Sequence, residues 1–438
     1  MSGRPSRGTC SSRDRYSQEG GRTLTQDTHA QSSGTIAAPA PTYLTKRQEY
    51  ALAVTISVVC ANAYYIHPII SEVADAFGVG KAEIGIVPAL NQLGLALGIF
   101  LLLPLGDRYS NRRLTLIFVC AQCVCLLGMA LSGSFALFTF ASTLLGFVTI
   151  APYLIPAFAS KRVAPERLGQ VTALLTAGLV FGVLFSRVIA GVVAEQFGWR
   201  TVYWGAVTLM ALVSIVLPFV MRVEDAQGPK ASKEPQESYG ALLASVFSLA
   251  KSHKDMALSG VIQGLNFGSF IALWLGLALH LTSEQMGYGV DTVGYLAGIG
   301  LVSVFLTPRL GKWADRIGAR RARLTVSFIQ LVGIAMLYPL GWNVWTLIIP
   351  LVIINAVGPT VDVTGRMTFL SLEPEIRTRL STTYVVLMFI GGAMGSILGT
   401  SVFDWGGWAG TYALVLSMSL GNVTLCFLAQ GSRQKPLT

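Results

Sequence analysis

The chain has 438 residues, 53% of them hydrophobic and only 12% charged, with a net charge of +10. A soluble domain carries about 25% charged residues, so this chain cannot cover itself with polar surface and its main solvent is lipid. The 32 basic residues do not gather into one patch; they fall in short clusters between apolar runs, which argues against a nucleic-acid partner and fits the loops of a membrane protein.

Residues 1–46 are rich in Ser, Thr, Gly, Arg and Gln and poor in large apolar side chains. They are expected to form a disordered cytoplasmic tail. The tail lacks the apolar core of a cleaved signal, and Asp14, Glu19 and Asp27 argue against a transit peptide. Apolar runs follow at regular intervals, each near the roughly 20 residues that a helix needs to cross a bilayer core. Six spans begin near Gln48, Ile84, Arg113, Phe135, Gly169 and Arg200, filling a first unit over 47–222. A polar stretch, 223–254, reads as a cytoplasmic linker. Six more spans begin near Met256, Thr292, Ala322, Val344, Arg379 and Trp408, filling a second unit over 255–430, and 431–438 form a short tail. The expected fold is therefore all-α and integral to the membrane, with twelve transmembrane helices in two pseudo-symmetric bundles of six.

Basic residues follow spans two, four, eight and ten, while the alternate loops hold little beyond Lys81 and Arg200. The positive-inside rule then puts both termini in the cytoplasm. Six cysteines give no disulfide framework. Cys120, Cys123 and Cys125 lie mid-segment without a His partner and read as small apolar residues, so no metal site is expected.

A charged turn follows span eight: Gly311, Lys312, Trp313, Ala314, Asp315, Arg316, Ile317, Gly318, Ala319, Arg320 and Arg321. A second version stands 208 positions earlier, where Asp107, Arg108, Arg112 and Arg113 align with Asp315, Arg316, Arg320 and Arg321. Three more loop identities recur at offsets of 209 to 211: Gly78 with Gly289, Pro165-Glu166 with Pro374-Glu375, and Gly198-Trp199 with Gly407-Trp408. The chain is a duplication, with a substrate route expected between its halves.

These residues resemble the major facilitator superfamily over about residues 48–430. The turn from Gly311 to Arg321 is similar to the family's loop motif, whereas the first copy has Leu103 and Ser110 where glycines are expected. The resemblance implies the major facilitator fold and a cytoplasmic gate. Asp107 would stand near the start of span eleven and Asp315 near the start of span five, each accepting hydrogen bonds from a helix N-terminus of the other half. Gly318 would make a left-handed turn after the helix end.

Inside the spans, Gly178, Gly182, Ser186 and Ala190 form a small-residue stripe suited to close helix packing. Arg187 is the sharpest single residue, because a charge well inside a span is costly and faces a cavity or a partner. It would hold an anionic or carbonyl-bearing substrate, tune a protonatable neighbour, or cap carbonyls. Asn62, Asn91, Gln92, Gln122, Gln263 and Asn266 either line a cavity or tie helices together. Tyr64 and Trp274 could stack on substrate or anchor the interface. His67 and His280 are titratable, and Asp362 stands one turn before Arg366, a spacing that fits a salt bridge.

The expected activity is secondary transport of a small organic molecule, with proton-coupled efflux of a drug or metabolite as the leading reading. Uptake of an organic acid held by Arg187, and a transporter-like sensor, are the alternatives. No nucleotide-binding loop and no catalytic cluster occur in the sequence, so neither a cofactor nor an enzymatic activity is expected. The partners would be a small-molecule substrate, protons and the lipid bilayer, with the plasma membrane as the expected location and the protein acting as a monomer.

Overall fold

The computed structural model describes residues 43–222, 240, 252–369 and 374–431. Nearly all of the expected N-terminal tail, almost all of the linker and residues 432–438 lie outside the described residues. Among the described residues, nine helices are long and apolar enough to cross a membrane. One of them, Arg379–Gln430, is two spans joined at Gly407, whose φ of 56° and ψ of −143° break the helix. Span nine (Ala319–Ala335) falls outside the nine because it has 17 residues, and span one because it is interrupted. The arrangement is consistent with twelve crossings.

Helix starts follow from local chemistry. Span one opens on a capping box in which Gln48 N donates to Thr45 Oγ1 and the Gln48 side chain accepts from Thr45 N. Span ten (Val344–Met367) opens on Asn343, whose side chain accepts from Trp345 N at 2.9 Å.

Two expected helices are broken at mid-span. Span one runs as Lys46–Ala61 and then Ile70–Phe77. Between them the bonds tighten to an i→i−3 pattern, with His67 N donating to Tyr64 O at 3.2 Å. Pro68 explains the break: it has no N–H, and its ring would collide with the carbonyl four residues back. Span four runs as Phe135–Val148 and Ala151–Ser160, joined at Thr149 just before Pro152.

Glycines bring helices together backbone to backbone: spans two and four meet this way at Gly98 and Gly146, and each half has an equivalent pair, spans one and five or seven and eleven. A Cβ on Gly182 of span five (Leu168–Phe197) would strike the carbonyl oxygen of Ser57 in span one. In the second half a Cβ on Gly391 of span eleven would strike the carbonyl oxygen of Gly264 in span seven (Lys254–Leu281). Gly391, Gly395 and Gly399 thus form a second stripe, offset by 209 positions from Gly182, Ser186 and Ala190. The repeat also corrects one alignment. Gly78 corresponds to Gly287, both at φ 65°, whereas Gly289 has φ −76°. The hinge after span eight (Val290–Ile317, with a 3-10 turn at Gly298–Leu301) needs its glycine. Gly318 has φ 93° and ψ 137°, a positive-φ extended shape rather than the expected left-handed helical one. At the equivalent place Ser110 has φ −60°, so the first hinge requires no glycine.

The halves meet along two seams, span two (Lys81–Leu102) with span eleven and span five with span eight. The hydrogen bonds across the seams lie away from the charged hinges, on the far face, whereas the hinge end of the two/eleven seam is packed by an apolar cluster that includes Ile99, Leu154, Tyr384 and Val385. There Ser396 Oγ donates to Gly85 O at 2.8 Å and Thr400 Oγ1 to Ala82 O at 3.4 Å. Val290 N, at the start of span eight, donates to Glu195 Oε2 at 2.9 Å. Gly191 packs against Val290 and Gly294. Closer to the hinges, the Val302–Ile317 part of span eight packs on spans nine and ten.

Candidate functional site

Arg187 lies in span five with 1% of its surface exposed. The break in span one carries Tyr64 and His67 to it. Arg187 Nη2 lies 3.0 Å from His67 Nδ1, and its guanidinium carbon lies 5.3 Å from the Tyr64 ring centre. Span seven, from the other half, supplies Phe270 at 4.7 Å and Trp274 at 5.2 Å. The cation is thus caged by aromatic faces, an attractive arrangement for a guanidinium out of water. Trp274 is 2% exposed, so it is no interfacial anchor.

The unpartnered polar atoms of this cage are all donors. A guanidinium only donates, so His67 Nδ1 must accept and the ring proton sits on Nε2. Arg187 Nε, His67 Nε2 and Trp274 Nε1 are all buried without a hydrogen-bond partner. One N–H of the guanidinium itself and two of neighbouring rings are therefore left open, and no described carboxylate is paired with Arg187. Glu195, two turns along the helix, is taken instead by Val290 N.

The predicted amides divide by role. Asn62 donates to Gln122 Oε1 at 3.3 Å, and Gln122 Nε2 donates to Thr149 Oγ1. In the second half Gln330 Nε2 donates to Asn266 Oδ1 at 3.0 Å, and Asn266 Nδ2 reaches Gln263 and Gly358 O. Gln122 and Gln330 are 208 positions apart, so each half ties its first and third spans with an Asn–Gln pair. Asn91 donates to Ser142 O at 2.7 Å and ties span two to span four. Gln92, the next residue, is 1% exposed and neither of its amide atoms has a partner.

Asp362 pairs with Arg366, whose Nε lies 3.1 and 3.0 Å from the two carboxylate oxygens. Tyr153 of span four lies within electrostatic range of this pair and of Tyr64. His280 does not join the site. Its Nε2 lies 3.0 Å from Gly341 O, and its ring stacks on Trp408 at 4.6 Å. In the stripe of span five, Gly178 O accepts from Ser57 Oγ of span one at 2.6 Å, a tie between helices, whereas Ser186 Oγ donates to Val183 O of its own helix at 3.0 Å.

At the hinges, Asp315 and Arg316 are exposed, and Asp315 hydrogen bonds to no described residue. Gly311 packs loosely, with Val363 as its nearest neighbour. Arg320 forms an ion pair with Asp255 at 2.8 Å, and Arg112 Nη2 donates to Pro218 O at 3.4 Å. Asp107 and Arg108 end a short helix, Leu105–Arg108, and the Asp107 side chain lies outside the described positions. The start of span five is held within its own half by Arg167, which pairs with Glu49 at 2.7 Å. Glu49 is a buried carboxylate that sequence reasoning did not single out, and its place in the first turn of span one was the available signal.

Comparison with known proteins agrees with this architecture. The Major Facilitator Superfamily profile matches residues 52–371 and again residues 260–437. Over 372 residues the chain is 27% identical to the uncharacterized transporter YgaY of Escherichia coli O157:H7, covering 85% of this chain and 93% of YgaY. Over 291 residues it is 28% identical to the probable nitrate/nitrite transporter NarK2 of Mycobacterium tuberculosis, covering 65% of this chain and 70% of NarK2. The solved nucleoside transporter NupG, in a mutant form, superposes with a TM-score of 0.66 at 15% identity, covering 88% of this chain and 99% of NupG, a likeness of fold alone. With a profile matched along both halves, apolar spans and seams between two duplicated units, the chain belongs to the Major Facilitator Superfamily and is a multi-pass membrane transporter of small molecules.

Proposed function

We propose that the chain carries a small organic anion by alternating access, with Arg187 as its charge contact. The observation that carries this reading is the cage itself, a buried guanidinium with its own Nε–H and two ring N–H donors beside it left without partners. Leaving a buried donor unpaired costs about 1–3 kcal/mol, and a bound acceptor recovers that cost. An anion accepts from such donors, whereas a cationic drug meets a like charge. Drug efflux therefore gives way to an organic acid, the substrate class of the second expectation. The name of NarK2, a probable transporter of small anions, points the same way.

Export is the proposed direction, with the hinge face in the cytoplasm. An inside-negative potential favours outward movement of a monoanion by about 2.3 kcal/mol per 100 mV, whereas uptake must bring a proton or another cation. Where protons are exchanged, Asp362 is the proposed carrier. It shares a helix face with Arg366, is partly exposed, and lies near Tyr153 in the opposite half.

The test uses purified protein, with benzoate, nitrate and the cationic dye ethidium as probes. Benzoate should raise the melting temperature and ethidium should not. Arg187→Gln should weaken benzoate binding at least about tenfold, the loss of one charged hydrogen bond. Equal binding by wild type and variant would make Arg187 a structural residue. In proteoliposomes, benzoate flux should follow an imposed potential, and a flux indifferent to it would sink unaided export.

A further inference from the structure

Gln92 is the polar side chain that neither packing nor the charge contact explains. It is 1% exposed at mid-span, and both its amide oxygen and its amide nitrogen lack partners. Its neighbour Asn91 shows what a helix-tying amide does in this span, bonding at 2.7 Å across to span four. Gln92 points elsewhere, into the interface between the halves. A Cβ built on Gly392 of span eleven would lie 3.8 Å from Gln92 Cγ and would also strike the Phe267 ring. The absent side chain at Gly392 lets the Phe267 ring lie against span eleven, beside Gln92.

From there an aromatic wall leads to the cage. Phe267 stacks on Phe270 with ring centres 6.1 Å apart, and Phe270 lies 4.7 Å from the Arg187 guanidinium carbon. A positive pole stands at one end of a flat apolar surface and a neutral amide, able to donate and accept, at the other.

We propose that Gln92 forms a second polar subsite and sets specificity: the transported acid has a planar apolar body and, opposite its anionic group, a neutral hydrogen-bonding group that the Gln92 amide reads. This rests on the reading of Arg187 as the anion contact. It narrows the substrate to hydroxylated or amide-bearing aromatic acids and explains why an amide is kept in a place where leucine would pack without cost.

The experiment measures dissociation constants of the full-length purified protein for two matched pairs, benzoate with 4-hydroxybenzoate and 3-phenylpropionate with 3-(4-hydroxyphenyl)propionate. In at least one pair the hydroxylated acid should bind about tenfold tighter, the effect of one well-made buried hydrogen bond. Gln92→Leu should bring that ratio to about one. The ligand-free variant should melt at or above the wild-type temperature, because an apolar side chain of similar shape removes two unpaired polar atoms. A wild type with no hydroxyl preference, a Gln92→Leu variant that keeps the preference, or a lowered melting temperature would each overturn the subsite. The charge contact fails separately, if Arg187→Gln binds all four acids as wild type does, and binding of none of the four by wild type overturns both.

Discussion

The two ends of the five/eight seam use the same chemistry and stand in opposite states. At the far end a carboxylate on span five, Glu195, accepts the Val290 N–H that begins span eight, at 2.9 Å. At the hinge end Asp315 closes span eight, exposed and bonded to no described residue, while the start of span five is occupied by the Arg167–Glu49 pair of its own half. A free helix N-terminus attracts an anion through unpaired N–H groups and the helix dipole. One end of the seam has that contact and the other has the residue for it without the contact. This is the arrangement expected of a carrier whose two sides close in turn, each by a carboxylate on one half meeting a helix start on the other.

If the far end is a seal, a wedge there should have the largest effect. A Cβ on Gly191 would first strike the backbone of Val290 and Gly294 in the opposite half, so Gly191→Leu drives a wedge into the seam. Overpacking costs typically 1–3 kcal/mol. At about 2 kcal/mol the population should shift about 30-fold away from the far-closed state. The measurement is labelling of a single cysteine at Val188 by an impermeant maleimide added from the far face, in protein freed of its native cysteines. No increase in labelling would mean that the seam does not gate.

Glu195→Gln is the milder form of the same break. The amide keeps an acceptor for Val290 N but loses the charge facing the helix start. Glu195 is exposed, so solvent screens the contact and about 0.5–1 kcal/mol is the expected loss, a two- to fivefold rise in far-side labelling. Asp404, 209 positions later at the end of span eleven, is the duplicate of Glu195 but hydrogen bonds to no described residue. Asp404→Asn should leave labelling unchanged, which separates a specific latch from a general effect of surface charge.

The difference between the ends also marks what a sequence can reveal. The spans were legible because a bilayer crossing is a local property, and most observed starts fall within three residues of expectation, as with Lys81, Asn111 and Val290. The duplication was legible from charged turns, and the second glycine stripe, Gly391 to Gly399, carries the same four-residue period as the first. Arg187 was legible as an expensive charge, but its cage was not. Tyr64, Phe270 and Trp274 come together only through the break at Pro68 and the seating of span seven against span five. Neighbouring amides, Asn91 and Gln92, look alike in sequence and differ only in the helix face they present. Glu195 bonds a backbone N–H, and a backbone partner leaves no sign in the residues that supply it.

Asp315 gives the smallest effect and the most diagnostic sign. Its side chain is exposed and hydrogen bonds to no described residue, so Asp315→Asn should cost this state nothing. Its charge matters only when the hinge end closes on span five, where a carboxylate at a helix start contributes about 0.3–1 kcal/mol. Asp315→Asn should therefore lower far-side labelling at position 188 by up to about fivefold, opposite in sign to Glu195→Gln. The contacts lie at opposite ends of one seam and share no partner, so the double variant should return labelling close to the wild-type level, the sum of the two effects. If Asp315→Asn instead raises labelling, or the double variant departs from additivity, the two ends are not alternatives of one equilibrium, because a residue that is free in the far-closed state can bias the carrier only through the state in which the hinge end closes.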